Sequence, residues 1–130
     1  METKVLYGYV EQEEVIQHIF IKLTEIGQMQ GKKIYKEERI SFSFGRAERL
    51  FPLLKDKVES DSIYYKNEIL SHTPLVVNKS PDREVIEDCL TYKYYMESFK
   101  ETSIPFTMVN YLFENYNSMR TMLSSILEMI

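Results

Sequence analysis

The most regular pattern of apolar positions lies in the last quarter of the chain. Val109, Leu112, Tyr116, Met119, Leu123, Ile126 and Ile130 recur at steps of three and four residues, which places them in one stripe of a continuous helix. Over residues 105–130 such a helix is about 39 Å long at ~1.5 Å per residue. Its flanking positions include Met108, Phe113, Met122, Leu127 and Met129, so the apolar face is wider than a coiled-coil seam, which charged residues border. This helix is expected to pack on more than one neighbour and to act as the spine of the domain. Surplus apolar surface at its methionine-rich end marks where a homodimer contact would form, with Met122 and Met129 as the candidates.

Earlier segments read in both periods. Lys4 to Val10 is β-branched and aromatic, with apolar groups on both faces, and predicts an interior strand in which Gly8 lets a neighbour approach closely. Residues 12–30 carry Val15, Ile16, Ile19, Phe20, Leu23 and Ile26, a stripe that predicts a helix. Glu11, Glu13 and Glu14 would then sit at its positive N-terminal end, and Gly27 or Gly31 would close it. Ile40, Phe42 and Phe44 alternate with serines, the period of a half-buried strand. Ile34 and Tyr35 do not keep that parity, which predicts a bulge or break near Glu37 and Glu38.

Residues 46–58 predict a short or bent helix interrupted by Pro52. Residues 62–71 fit either a short helix or two strands, while Leu75, Val76 and Val77 favour a strand. Ser80-Pro81-Asp82 has the form of a helix start, with an N-cap serine and a first-turn proline. A helix from there to about Glu101, followed by a three-residue link and Pro105, predicts an antiparallel helical hairpin at the C-terminus. The fold class expected is α+β: a small sheet of two to four strands packed by an N-terminal helix and a C-terminal antiparallel helical hairpin, in a single domain over residues 1–130.

Composition adds few constraints. With 44% hydrophobic and 28% charged residues, the chain falls in the ordinary globular range. Cys89 is the single cysteine and His18 and His72 the two histidines, so an internal disulfide is excluded and a reducing compartment, the cytoplasm, is expected. No signal peptide or stretch long enough for a membrane span is visible. One alanine, no tryptophan and ten tyrosines match the bias of an AT-rich genome, such as that of a low-GC bacterium or a phage.

Chemical motifs are sparse. Cys89 is read as a structural thiol on the inner face of its helix, His18 as a surface residue, and His72 as a loop residue without a partner at ligand spacing. Phosphate-binding glycine spacings and nucleophile elbows are absent. No catalytic residue, metal or cofactor is therefore expected, and the protein is read as a binding protein and not an enzyme.

Charge and tyrosine carry what functional signal there is. Residues 32–57 hold eight basic groups against four acidic ones, in a chain of net charge −4. Lys32, Lys33, Lys36, Arg39, Arg46 and Arg49 form a candidate basic patch for a ligand or nucleic acid. Glu84, Glu87 and Asp88 form an acidic patch if helical, and Tyr64, Tyr65, Tyr94 and Tyr95 cannot all face inward. Those seven residues are the candidate interface with a protein partner. The leading expectation is a bacterial or phage immunity or inhibitor protein that occludes a partner protein's site. The alternative is a small regulatory domain binding a ligand or nucleic acid through residues 32–57.

Overall fold

A computed structural model describes residues 2–45 and 73–130, the side chains of residues 120, 123 and 124 excepted. Strand β1 (Thr3–Gln12) turns at Glu13 and Glu14 into β2 (Val15–Met29), which turns at Gln30 and Gly31 into β3 (Lys32–Gly45). After residue 72 come β4 (Val76–Ile86), helix α1 (Leu90–Ser98), the short β5 (Lys100–Thr102) and helix α2 (Phe106–Glu128). The strands form one antiparallel sheet in the order β4-β3-β2-β1-β5. The helix expected over residues 46–58 and the undecided stretch 62–71 lie outside the described residues.

A sheet of five strands replaces the expected two to four, and the largest correction is the expected N-terminal helix, which is the central strand β2. Its neighbours bury both of its faces. Phe20 packs with Tyr7, Ile40 and Phe42 on one face, while Ile19, Ile21 and Leu23 pack with Leu6 and Tyr35 on the other. A strand covered on both sides reads as an almost continuous apolar run, and Ile19 to Leu23 fits a helical stripe equally well. The three glutamates that suggested a helix N-terminus instead surround the β1–β2 turn, where Glu13 takes a φ of 45°. Gly31 closes a hairpin: Gln30 (φ 52°) and Gly31 (φ 77°) lie between the paired Met29 and Lys32. Two successive positive φ values are what a two-residue type I′ turn requires.

The second correction concerns Ser80-Pro81-Asp82. These residues belong to β4, an edge strand, not to a helix. Arg39 pairs with Ser80 and Glu37 with Arg83, so three steps on β4 face two on β3 and one residue bulges out. An edge-strand bulge tolerates proline because no ladder hydrogen bond needs its missing N–H. The irregularity expected near Glu37 and Glu38 thus falls at the right place, but the extra residue is on β4 and β3 runs unbroken.

Helix α1 starts only at Leu90, with Cys89 as its N-cap: Tyr92 N donates to Cys89 Sγ at 3.4 Å. β5 separates it from α2, and the two helices cover opposite faces of the sheet, so there is no helical hairpin. α2 lies over Tyr7, Phe20, Ile40, Phe42, Phe44 and Val77 through Phe106, Val109, Leu112 and Tyr116. Each fully buried side chain of this kind contributes roughly 1.5–3 kcal/mol. α1 covers the other face with Tyr95, and Phe99 just beyond it lies over Gly8, where a Cβ would stand 2.8 Å from the ring. Gly8 is thus the close approach its position in an interior strand suggests. Among the described residues no helix is long and apolar enough to cross a membrane.

Candidate interaction surface

The charged residues singled out in the sequence meet one another across the β3–β4 ladder and the turn that follows it. Lys36 pairs with Asp82 at 3.4 Å and Lys32 with Asp88 at 3.1 Å. Lys33 reaches Glu2 at 2.9 Å, and Lys4 holds the same carboxylate at 3.2 Å. The Lys33 and Lys4 ammonium groups keep Glu2 below the usual carboxylate range, and Glu2 in turn raises Lys33. Three lysines of the basic segment thus have acidic partners inside the fold. Arg39 is half-buried, and Arg46 and Arg49 lie outside the described residues. The acidic group is dispersed as well: Glu84 is exposed on β4, Glu87 is half-buried beyond it, and Asp88 sits in the turn before α1. They share no helix face, because no helix exists there.

The tyrosines separate in the same way. Tyr94 is 49% exposed on α1, whereas Tyr95 is buried and belongs to a polar network. Tyr95 OH donates to Glu37 Oε1 at 2.7 Å, Arg83 Nε donates to Glu37 Oε2 at 2.7 Å, and Arg83 Nη2 donates to Tyr95 OH at 3.1 Å. Glu37 is 3% exposed, so its carboxylate depends on these donors. Burial, with Glu37 beside it, pushes the Tyr95 hydroxyl up. An open depression of about 370 Å³ next to the network is lined by Glu37, Arg39, Ser80, Pro81, Asp82 and Arg83, acids and bases in equal number. Tyr64, Tyr65 and His72 lie outside the described residues.

Sequence reasoning missed this network, although one signal was present: Glu37 keeps the parity of Tyr35 and therefore faces the same side of β3. His18 was also misplaced. It is buried at 1% exposure on β2, with Tyr7 OH 2.6 Å from its Nδ1 and the Phe44 ring edge-on at 5.8 Å. Burial lowers it to about 4, which keeps the imidazole neutral. Among the described residues, no three His, Cys, Asp or Glu side chains are grouped so as to hold a metal ion.

α2 behaves differently from these internally satisfied sites. Ile104 N donates to Thr102 Oγ1 at 3.2 Å just before the helix, and Pro105 takes the position preceding its first residue. From there the apolar stripe is buried through Tyr116, whose ring meets Phe42 edge-on and whose hydroxyl is pushed up by burial. Beyond Tyr116 the stripe continues, but no described residue of it belongs to the buried core. Met119, Met122, Ile126, Leu127, Met129 and Ile130 are between 44% and 97% exposed, Met122 at 59% and Met129 at 81%. Two hydroxyls of this half bond the helix itself: Thr121 donates to Asn117 O and Ser125 to Thr121 O, both at 3.1 Å. From Tyr116 to Glu128 the helix runs about 18 Å at ~1.5 Å per residue.

No protein-family model, curated protein or solved structure matches the chain. Its site is therefore read from its own geometry.

Proposed function

We propose that the protein is a protein-binding module whose contact surface is the outer half of α2. The observation that carries this reading is the exposure of six large apolar side chains between Met119 and Ile130, four on the outer half of α2 and two just past its end. Contiguous apolar surface of that size marks an interaction site more often than ordinary solvent-facing surface. The hydroxyls of Thr121 and Ser125, bonded to their own helix backbone, add little desolvation cost when the surface is covered. The narrower role of an immunity or inhibitor protein that occludes its partner's site rests on the acidic balance of the chain and on exposed Tyr94 and Glu84. Nucleic-acid binding through residues 32–57 is the weaker reading, since Lys32, Lys33 and Lys36 already have acidic partners.

The test is a photo-reactive amino acid placed at Met122, with Glu97 on the exposed side of α1 as the control. A discrete protein cross-link from position 122 and none from position 97 is the expected result. Absence of any protein product from position 122 in cells would overturn the reading.

A further inference from the structure

The depression beside the Glu37–Arg83–Tyr95 network owes its shape to the β4 bulge. Ser80 pairs with Arg39 and Arg83 with Glu37, while Pro81 and Asp82 supply the extra step between them. Arg39 keeps the parity of Tyr35 and Glu37 along β3, so it stands on the same side of the sheet as the network. The enclosed space of about 370 Å³ is within the size range of small-molecule sites, roughly 300–1,000 Å³.

The groups around this space are unequally committed. Both Glu37 oxygens accept hydrogen bonds, from Tyr95 OH and Arg83 Nε, and Asp82 Oδ2 is held by Lys36 at 3.4 Å. Arg83 uses Nε and Nη2 inside the network, which leaves the N–H groups of Nη1 on a side chain that is 53% exposed. Arg39 is half-buried on β3, yet it has no hydrogen bond or ion pair with any described residue. Lys36, Arg39 and Arg83 set against Glu37 and Asp82 leave one positive charge over, and the guanidinium without a partner is that of Arg39.

From this imbalance we infer that the depression binds a single carboxylate group, gripped by Arg39 and backed by Arg83 Nη1 and the Ser80 hydroxyl. The planar guanidinium fork meets a carboxylate with two parallel hydrogen bonds. A half-buried guanidinium is also partly stripped of water, which strengthens its attraction for an anion. One ionised carboxylate balances the surplus charge. A dianion such as phosphate brings a second negative charge against Glu37 and Asp82, so charge as well as shape selects the ligand. A free small acid and the carboxyl terminus of a peptide both supply the group.

The test is a titration of the purified chain at about pH 7, where carboxylates are ionised, and at constant ionic strength, followed by the amide resonances in two-dimensional NMR. Sodium acetate should move the resonances of residues 37–39, 80, 82 and 83 with saturation, at a dissociation constant on the order of millimolar. Acetamide, its neutral counterpart, should not, and phosphate should bind at least about ten-fold more weakly. Arg39→Met keeps the apolar stem and should abolish saturation with an unchanged urea midpoint. Arg39→Lys should weaken acetate about ten-fold, because an ammonium lacks the fork. A blocked tripeptide with a free carboxyl terminus separates the two sources. Tighter binding than acetate assigns the site to a peptide end and weaker binding to a free acid, and both support a carboxylate site. No saturable shift up to about 100 mM acetate overturns the inference. So do equal shifts with acetamide, phosphate binding as tight as acetate, or acetate binding that survives Arg39→Met. The acetate, acetamide and phosphate series on the unaltered chain decides the matter even where Arg39→Met disturbs the fold.

Discussion

Removing one member of the Glu37–Arg83–Tyr95 network tests whether the buried carboxylate is held by its partners. Arg83→Met takes away the bond from Nε to Glu37 Oε2 and leaves Tyr95 OH as the remaining donor to a residue that is 3% exposed. Breaking a buried ion pair from one side typically costs about 3–5 kcal/mol, because the other charge stays buried. The Arg83 side chain is 53% exposed, so water can enter where the guanidinium was, and the expected cost is at the lower end, about 3 kcal/mol. With a urea dependence of about 2 kcal/mol per molar, this lowers the unfolding midpoint by roughly 1.5 M. Tyr95→Phe should cost about 1.5–3 kcal/mol, the range for a hydrogen bond to a charged group. The decisive comparison is the double variant Glu37→Met with Arg83→Met. Replacing both charges by apolar groups should recover most of the loss, since the desolvation cost then disappears. Circular dichroism in a urea series supplies all the midpoints. A cost under about 1 kcal/mol for Arg83→Met, or a double variant as unstable as the summed singles, would refute the reasoning.

Two further predictions concern His18 and Gly8. His18 binds a proton more readily unfolded, near 6.5, than folded, near 4, so its contribution is present above pH 6.5 and is lost as pH falls from 6.5 to 4. The loss is about 3 kcal/mol, and His18→Phe should flatten that limb of the stability–pH curve; an unchanged slope would contradict it. At the alkaline end the sign is reversed. Tyr35, Tyr95 and Tyr116 are raised from 10.0 mainly by burial, so stability should decline as pH rises above 10. Gly8→Ala places a Cβ within 2.8 Å of a Phe99 ring that is itself packed on Tyr95 at 5.3 Å. The overpacking should cost about 1–3 kcal/mol, with partial recovery on adding Phe99→Leu. A wild-type melting temperature for Gly8→Ala would show that the ring is free to move.

Legibility in the sequence followed how many neighbours each segment has. α2 was readable because one stripe of it packs and its start is marked by Pro105; the helix begins at Phe106. β1 and the alternating end of β3 were readable because strand propensity and period agree there. β2 was not, since burial on two faces erases the polar positions that distinguish a period of two from one of 3.6. The Ser80-Pro81-Asp82 stretch carries identical local chemistry at a helix start and at an edge bulge. Only the pairing of Ser80 with Arg39 and Arg83 with Glu37 selects between them.

The candidate surface divides along the same line. The exposure of Met122 and Met129 agrees with a stripe that the sequence shows to be wider than one neighbour covers. The basic and acidic patches could not be placed from the sequence, because charges distant along the chain were counted as separate surfaces until β3 and β4 set Lys36 beside Asp82 and the turn after β4 set Lys32 beside Asp88. The sequence by itself determined where the chain can be apolar and how far the α2 stripe extends. The tertiary structure alone decided which of those apolar faces is covered, since burial is a property of two surfaces and a sequence specifies one at a time.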